Sequence, residues 1–271
     1  GDLGIDYAAP GAALSTLPSW GISKGENWNG TSMAAPQMSG CMALLHGAAQ
    51  AEGLAHDPVR MDRALRLSAK PLQHHDWVEQ GHGFISVSSA MKALRYLHES
   101  GFQDQLYKVE ATNPFGVGGG VYLRSFASEK EQDINVHIEP LFNDDVSNAH
   151  KADFLRTFRP VPEESWVQAP DIFYSSAQGQ NFKLRIDPEG LEPGLYSTRV
   201  LIYDVDQPED IGPEIVVPVT VVVAERTHTN DDHSFADEFS LAPGQLHRSF
   251  IQVPFGATQA KIRVTQWGGA R

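Results

Sequence analysis

Two hydrophobic rhythms divide the chain. Between Thr31 and Gln50, Met33, Ala34, Ala35, Met38, Cys41, Met42, Ala43, Leu44 and Leu45 leave almost no polar stripe at helical spacing. That pattern predicts a helix from Thr31 or Ser32 to about Gln50, buried on all sides. "HDPVRMDRALRLSAKP" predicts a second helix, with Asp57 as N-cap, Pro58 at the first helical position and Pro71 as the stop. After the turn "GHG", "FISV" reads as a strand and "SSAMKALRYLHESG" as a third helix with Gly101 beyond its end. Helix, strand and helix with tight connections suit α/β packing.

From about Gln103 the rhythm becomes alternation. "NFKLRID" sets Phe182, Leu184 and Ile186 against Lys183, Arg185 and Asp187, the period of a half-buried strand. "LYSTRVLIYDV" and "EIVVPVTVVVAE" are rich in β-branched and aromatic residues, and turns such as "DPEGLEPG" separate the strands. Residues 103–225 therefore predict one antiparallel β-sandwich. A further β-like pattern follows in "RSFIQVP", "FGAT" and "AKIRVTQW", over a stretch too short for an independent sandwich. We read it as the opening of another β domain. "GVGGGVY" (116–122) reads as a flexible loop, since it neither follows a clear strand nor opens a helix.

Charge and composition narrow the partners. Among 271 residues, 34 acidic against 21 basic side chains give a formal charge of −13, which repels phosphate backbones and anionic membrane surfaces. Neither nucleic acid nor a membrane is expected. No apolar run reaches the roughly 20 residues of a membrane span. The single cysteine, Cys41, forbids an intrachain disulfide and thiolate zinc clusters, and reads as an inert packing residue. "HHDW" and "HTNDDH" carry metal-capable side chains without a helical ligand spacing, so no metal and no cofactor is assigned.

The chemistry concentrates in "NGTSMAAPQMSG". A serine hydroxyl needs a base to take its proton and fixed donors to hold the oxyanion. Asn29 and Gly30 permit a sharp turn, the helix start aims free N–H groups beside Ser32, and Pro36 cannot donate to the Ser32 carbonyl. Ser32 is the candidate nucleophile.

"GTSMAAPQMSG" resembles the nucleophile motif of the subtilisin-like serine peptidases, with "AAPG" (Ala8 to Gly11) before it and "GHGFISVSSA" (Gly81 to Ala90) after it in the expected order. Further blocks, among them "GVYLR", "SWVQAP", "RIDPEGL", "GLYSTRVLIYDVD" and "FIQVPFGATQAKIRV", look like the successive segments that follow the active serine in the tripeptidyl peptidase II family. The resemblance implies a large, cytosolic, self-assembling exopeptidase that releases tripeptides from free N-termini of peptide substrates, with Thr31 supporting the oxyanion. It implies a fold in which residues 1–102 are the C-terminal part of a subtilisin-like α/β domain. Residues 103–225 would be an immunoglobulin-like sandwich, and residues 226–271 the beginning of a galactose-binding-like β domain.

In that family the order is Asp, His, Ser, and no histidine precedes Ser32 here. Asp2 and Asp6 have no histidine to orient, and Asn27 and Asn29 read as turn formers. His46 shares the serine's helix at a distance of roughly 21 Å along the axis. His56, His74, His75 and His82 read as surface residues. The expectation is a fragment that carries the nucleophile and is inactive alone. Two other readings stay open: part of another multidomain subtilisin-like endopeptidase, or a non-catalytic sandwich module for assembly.

Overall fold

Helices predominate among the described elements of the first hundred residues. In a computed structural model, residues 4–14, 20, 26–73, 75–101, 104–144, 146–227, 233–243 and 245–266 are described. Asp2, His74, residues 228–232 of "HTNDDH" and the expected boundary at 102/103 lie outside them.

Two short strands, β1 (Ala12–Leu14) and β2 (Asn27–Asn29), pair antiparallel and lead into α1 (Thr31–Glu52). Asn27 and Asn29 are thus strand residues, not turn formers, because Asn29 lies opposite Ala12 and Asn27 opposite Leu14. Helix α2 (Pro58–Ser68) begins as expected: the Asp57 carboxylate accepts from the Val59 and Arg60 N–H groups and Pro58 takes the first helical position. It ends before Pro71, since Ala69 is extended and Lys70 bridges to Phe84. A four-residue helix, α3 (Trp77–Gln80), follows. Helix α4 (Val87–Glu99) is capped by Ser86, whose hydroxyl accepts from the Ser89 N–H. The expected strand "FISV" shrinks to single bridges at Phe84, with Ala8 on one side and Lys70 on the other.

The buried α1 foreseen in the sequence is overturned. Only Leu45 and Ala49 are buried in it, and Leu44 is 66% exposed. Its inner face packs on α4 with Leu94 and Leu97, and β1 and β2 also touch it. Cys41 lies at the edge of this helical core, half-buried.

The β region is a two-sheet sandwich. Its strands are β3 (Leu106–Asn113), β4 (Gly116–Gly118), β5 (Val121–Leu123), β6 (Gln132–Leu141), β7 (Leu155–Pro162), β8 (Val167–Gln168), β9 (Phe173–Ser176), β10 (Gln180–Ile186), β11 (Gly194–Asp204) and β12 (Ile215–Val223); a short α5 (Asn148–Asp153) precedes β7. One sheet runs β4-β3-β6-β10-β8, the other β5-β12-β11-β7-β9. The register sets Phe182 against Val136 and Leu184 against Ile134, and Val200 against Val217 in the facing sheet. Phe182, Leu184 and Ile186 enter the core as their alternation requires. Each such side chain contributes about 1.5–3 kcal/mol on burial. The glycine run 116–122 is no loose loop: β4 and β5 lie in different sheets, with Gly119 and Gly120 carrying the crossover.

Beyond β12, β13 (Glu225–Arg226) pairs with β14 (Ile251–Gln252), and the described residues 260–266 of "AKIRVTQW" form no strand. Ile262 and Val264 are each 86% exposed. Alternation alone does not make a strand where no partner supplies the ladder.

The sandwich is bolted to the helices through the connection between β11 and β12. Ile211 joins the helical core, and Gly212 has a φ of 81° at a point where a Cβ would meet Leu67 Cδ2 at 2.6 Å. Tyr96 of α4 donates to Asp210 at 2.6 Å. Arg63 of α2, 2% exposed, donates to Asp104 at 2.8 Å and to Glu214 at 2.9 Å, while Arg60 donates to the other oxygen of Asp104 at 2.7 Å.

Candidate active site

The serine turn is built from backbone. Gly30, with a φ of 152°, donates its N–H to the Gly11 carbonyl at 2.8 Å, and its own carbonyl accepts from Met33 at 3.0 Å to open α1. Thr31 and Ser32 are therefore the first two helical residues, and their N–H groups have no intrahelical acceptor. Both side chains are exposed, and no side chain caps the helix. Pro36 sits inside the helix, four residues on from Ser32, so the Ser32 carbonyl loses its usual donor. The hydroxyl thus stands at the positive end of a 22-residue helix, beside N–H groups that have no acceptor within the helix.

The support for that turn is the strand-like segment that ends at Gly11. Ala8 donates to the Gly83 carbonyl at 2.9 Å, and His82 donates to Asp6 at 2.8 Å. Gly81 and Gly83 allow the approach: a Cβ on Gly81 would stand 2.3 Å from the Asp6 carbonyl oxygen, and one on Gly83 2.4 Å from that of Lys70. Both have positive φ.

No described histidine joins Ser32. His46 lies fourteen residues along the same helix and packs edge-on against His56 at 4.6 Å. His75 faces Glu79. His82 is not the surface residue expected from its turn: it is half-buried between Tyr7 at 5.5 Å and Trp77 at 4.9 Å. Burial, with Arg66 adding to it, lowers its pKa to about 4, so it is neutral at pH 7. Asp6 faces solvent and meets this histidine only through backbone.

A serine–histidine–aspartate cluster, unforeseen from sequence, lies in the exposed C-terminal stretch. His247 Nε2 is 2.7 Å from Asp237 and 3.1 Å from the Ser249 hydroxyl, and Ser249 also donates to Asp237 at 3.1 Å. Asp237 and Ser249 share one ring nitrogen. A triad requires the aspartate on one nitrogen and the serine on the other, so this arrangement cannot deprotonate Ser249. Its consequence is electrostatic: the His247 hydrogen bond holds the Asp237 carboxyl below the ordinary carboxylate range. Among the described residues, no group of three or more His, Cys, Asp or Glu side chains is arranged to hold a metal ion. No helix of the described residues is long and apolar enough to cross a membrane.

The helical part and the sandwich each match a known family. The subtilase family matches residues 1–84, and the first Ig-like domain of tripeptidyl-peptidase II matches residues 107–222. The chain resembles the tripeptidyl-peptidase-II-like subtilases in both of these parts. Tripeptidyl-peptidase 2 of Drosophila melanogaster is 31% identical over 97% of this chain and 19% of its own length. The Arabidopsis thaliana protein of the same name is 30% identical over 99% of this chain and 20% of its own. A crystal structure of tripeptidyl peptidase 2 superposes with a TM-score of 0.67 at 30% identity, covering 76% of this chain and 17% of that one. The chain thus spans about a fifth of the length of the curated relatives it matches.

Proposed function

We propose that this chain supplies the nucleophile-bearing segment of a serine exopeptidase that removes tripeptides from the free N-termini of peptides. The single observation that carries the reading is the exposed Ser32 at the start of α1, beside N–H groups without an acceptor in the helix, in a stretch that matches the subtilase family. In the proposed reaction the Ser32 hydroxyl attacks the scissile carbonyl carbon, and the Ser32 N–H donates to the oxyanion that forms, with Thr31 supporting it. The base that takes the hydroxyl proton and the aspartate that orients it come from other residues of the complete protein. The 271-residue chain by itself is inactive, because none of the described histidines is placed to serve Ser32.

In this reading residues 1–102 belong to the peptidase domain and 103–225 form the Ig-like domain. Residues 226–271 belong to a galactose-binding-like β domain. The complete protein is a cytoplasmic homo-oligomer acting on peptides.

Incubating the complete encoded protein with free and N-acetylated forms of one peptide, and resolving products by mass spectrometry, tests the reading. Tripeptides released from the free form alone, and lost with Ser32→Ala, support it. Cleavage at internal bonds regardless of acetylation overturns it.

A further inference from the structure

The segment that holds the serine turn in place is anchored sideways by one phenol. Residues 4–14 run from the glycine pair to Gly11, and among the described residues they make side-chain hydrogen bonds through Tyr7 alone. The Tyr7 hydroxyl donates to Asp62 Oδ1 at 2.6 Å and lies 3.1 Å from the Asp62 backbone carbonyl. The other carboxylate oxygen of Asp62 faces Arg66 Nε at 2.9 Å, at an angle that makes this an ion pair without a hydrogen bond. The carboxylate is thus fixed between a phenol and a guanidinium on one face of α2. Burial, with Asp62 adding to it, pushes the Tyr7 phenol far above its ordinary range, so the donor proton stays in place.

The next residue of α2 faces the other way. Arg63 is the one that reaches Asp104 and Glu214 at the sandwich. Adjacent positions on one helix therefore grip the Ig-like domain and the serine-turn support. From Tyr7 the chain takes four residues to Gly11, whose carbonyl holds the Gly30 N–H two residues before Ser32. The backbone bridges from Ala8 to Gly83 and Ile85 fix this segment along its length, and Tyr7 fixes its sideways position against the helices.

We propose that Tyr7 and Asp62 are positioning residues for the nucleophile: their hydrogen bond sets where Gly11, and through it the Ser32 turn, stands. The inference rests on the proposed peptidase function for its catalytic readout. A misplacement of about 1 Å at a reacting group costs up to roughly 10²-fold in rate, and removing one hydrogen bond at the edge of the support is expected to cost about tenfold.

Two readouts keep the inference separate from the peptidase reading. In the complete protein, Tyr7→Phe and Asp62→Leu lower kcat about tenfold with KM within twofold of the parent. Asp62→Asn, which keeps an acceptor for the phenol and removes the charge facing Arg66, stays within twofold on both. In the 271-residue chain, which needs no activity, amide exchange of Gly30 speeds up at least about fivefold in Tyr7→Phe, while that of Leu94 in α4 is unchanged. The Gly30 result supports the inference even if the peptidase test fails. Gly30 exchange unchanged in Tyr7→Phe overturns it, and so does an Asp62→Asn variant as impaired as Asp62→Leu.

Discussion

Arg63 Nη2 lies 2.9 Å from Glu214 Oε2, and this pair, 151 residues apart in sequence, joins the peptidase segment to the Ig-like domain. With Asp104 and Arg60 it forms a cluster of two buried guanidinium and two buried carboxylate groups. Breaking a buried pair by removing one partner costs about 3–5 kcal/mol, because the other charge is left uncompensated. Arg63→Ala is therefore expected to destabilise the chain by about that amount and to lower the urea midpoint, read by tryptophan fluorescence. A change below about 1 kcal/mol would contradict the role assigned to the cluster.

Burial raises the Glu214 carboxyl above its ordinary range, with Arg63 pulling the other way and Asp104 and Asp204 adding to the rise. The folded chain therefore takes up this proton at a higher pH than the unfolded chain. The stability that Glu214 contributes is fully present below its unfolded value of about 4.3 and is lost as pH rises through its folded value. Urea titrations from pH 4.5 to 7.5 should show Glu214→Gln gaining stability relative to the parent as pH rises. A relative loss with rising pH would mean that the ion pair outweighs desolvation.

Glycine tells two opposite stories in the helical layer. A Cβ at Gly83 meets the Lys70 carbonyl at 2.4 Å with φ at 107°, so Gly83→Ala should prevent the layer from forming, seen as lost helical ellipticity. Gly40, inside α1, has nothing within 4 Å of a Cβ, and Gly40→Ala should raise stability by about 0.5–1 kcal/mol. Equal effects from the two substitutions would contradict the packing described around "GHG".

The same packing gives an order of stability. The sandwich closes a continuous core between two five-stranded sheets, whereas α1 buries only Leu45 and Ala49. Native-state hydrogen exchange should show α1 opening at lower free energy than β6, β10, β11 and β12. Protection in α1 equal to that in β11 would contradict this.

Sandwich strands were legible because period-2 alternation maps directly onto two faces: Phe182, Leu184 and Ile186 point inward as their spacing requires. Helix α2 was legible at its start because Asp57 and Pro58 act locally. The exposure of α1 was not, since periodicity reports that a helix is apolar all round and says nothing of what stands against it. His82 was misread for a similar reason. A turn histidine reads as surface, and only the tertiary approach of Tyr7 and Trp77 buries it. Arg63 carried no local signal either, because its acceptors Asp104, Pro213 and Glu214 all come from beyond α2, the last of them 151 residues away.

The place of Thr31 and Ser32 at the start of α1 was legible from the motif, and the turn before them from Gly30. The Tyr7–Asp62 bond was not, since nothing in "GIDYAAPG" or "RMDRAL" marks two side chains 55 residues apart as partners.

The most direct test of the account is labelling of the purified 271-residue chain with a fluorophosphonate, beside a Ser32→Ala control. A serine with neither base nor complete oxyanion hole reacts no faster than an ordinary hydroxyl. The account predicts no labelling at Ser32 above the control. Robust, stoichiometric labelling at Ser32 would show that this chain assembles a working nucleophile by itself and would contradict the account.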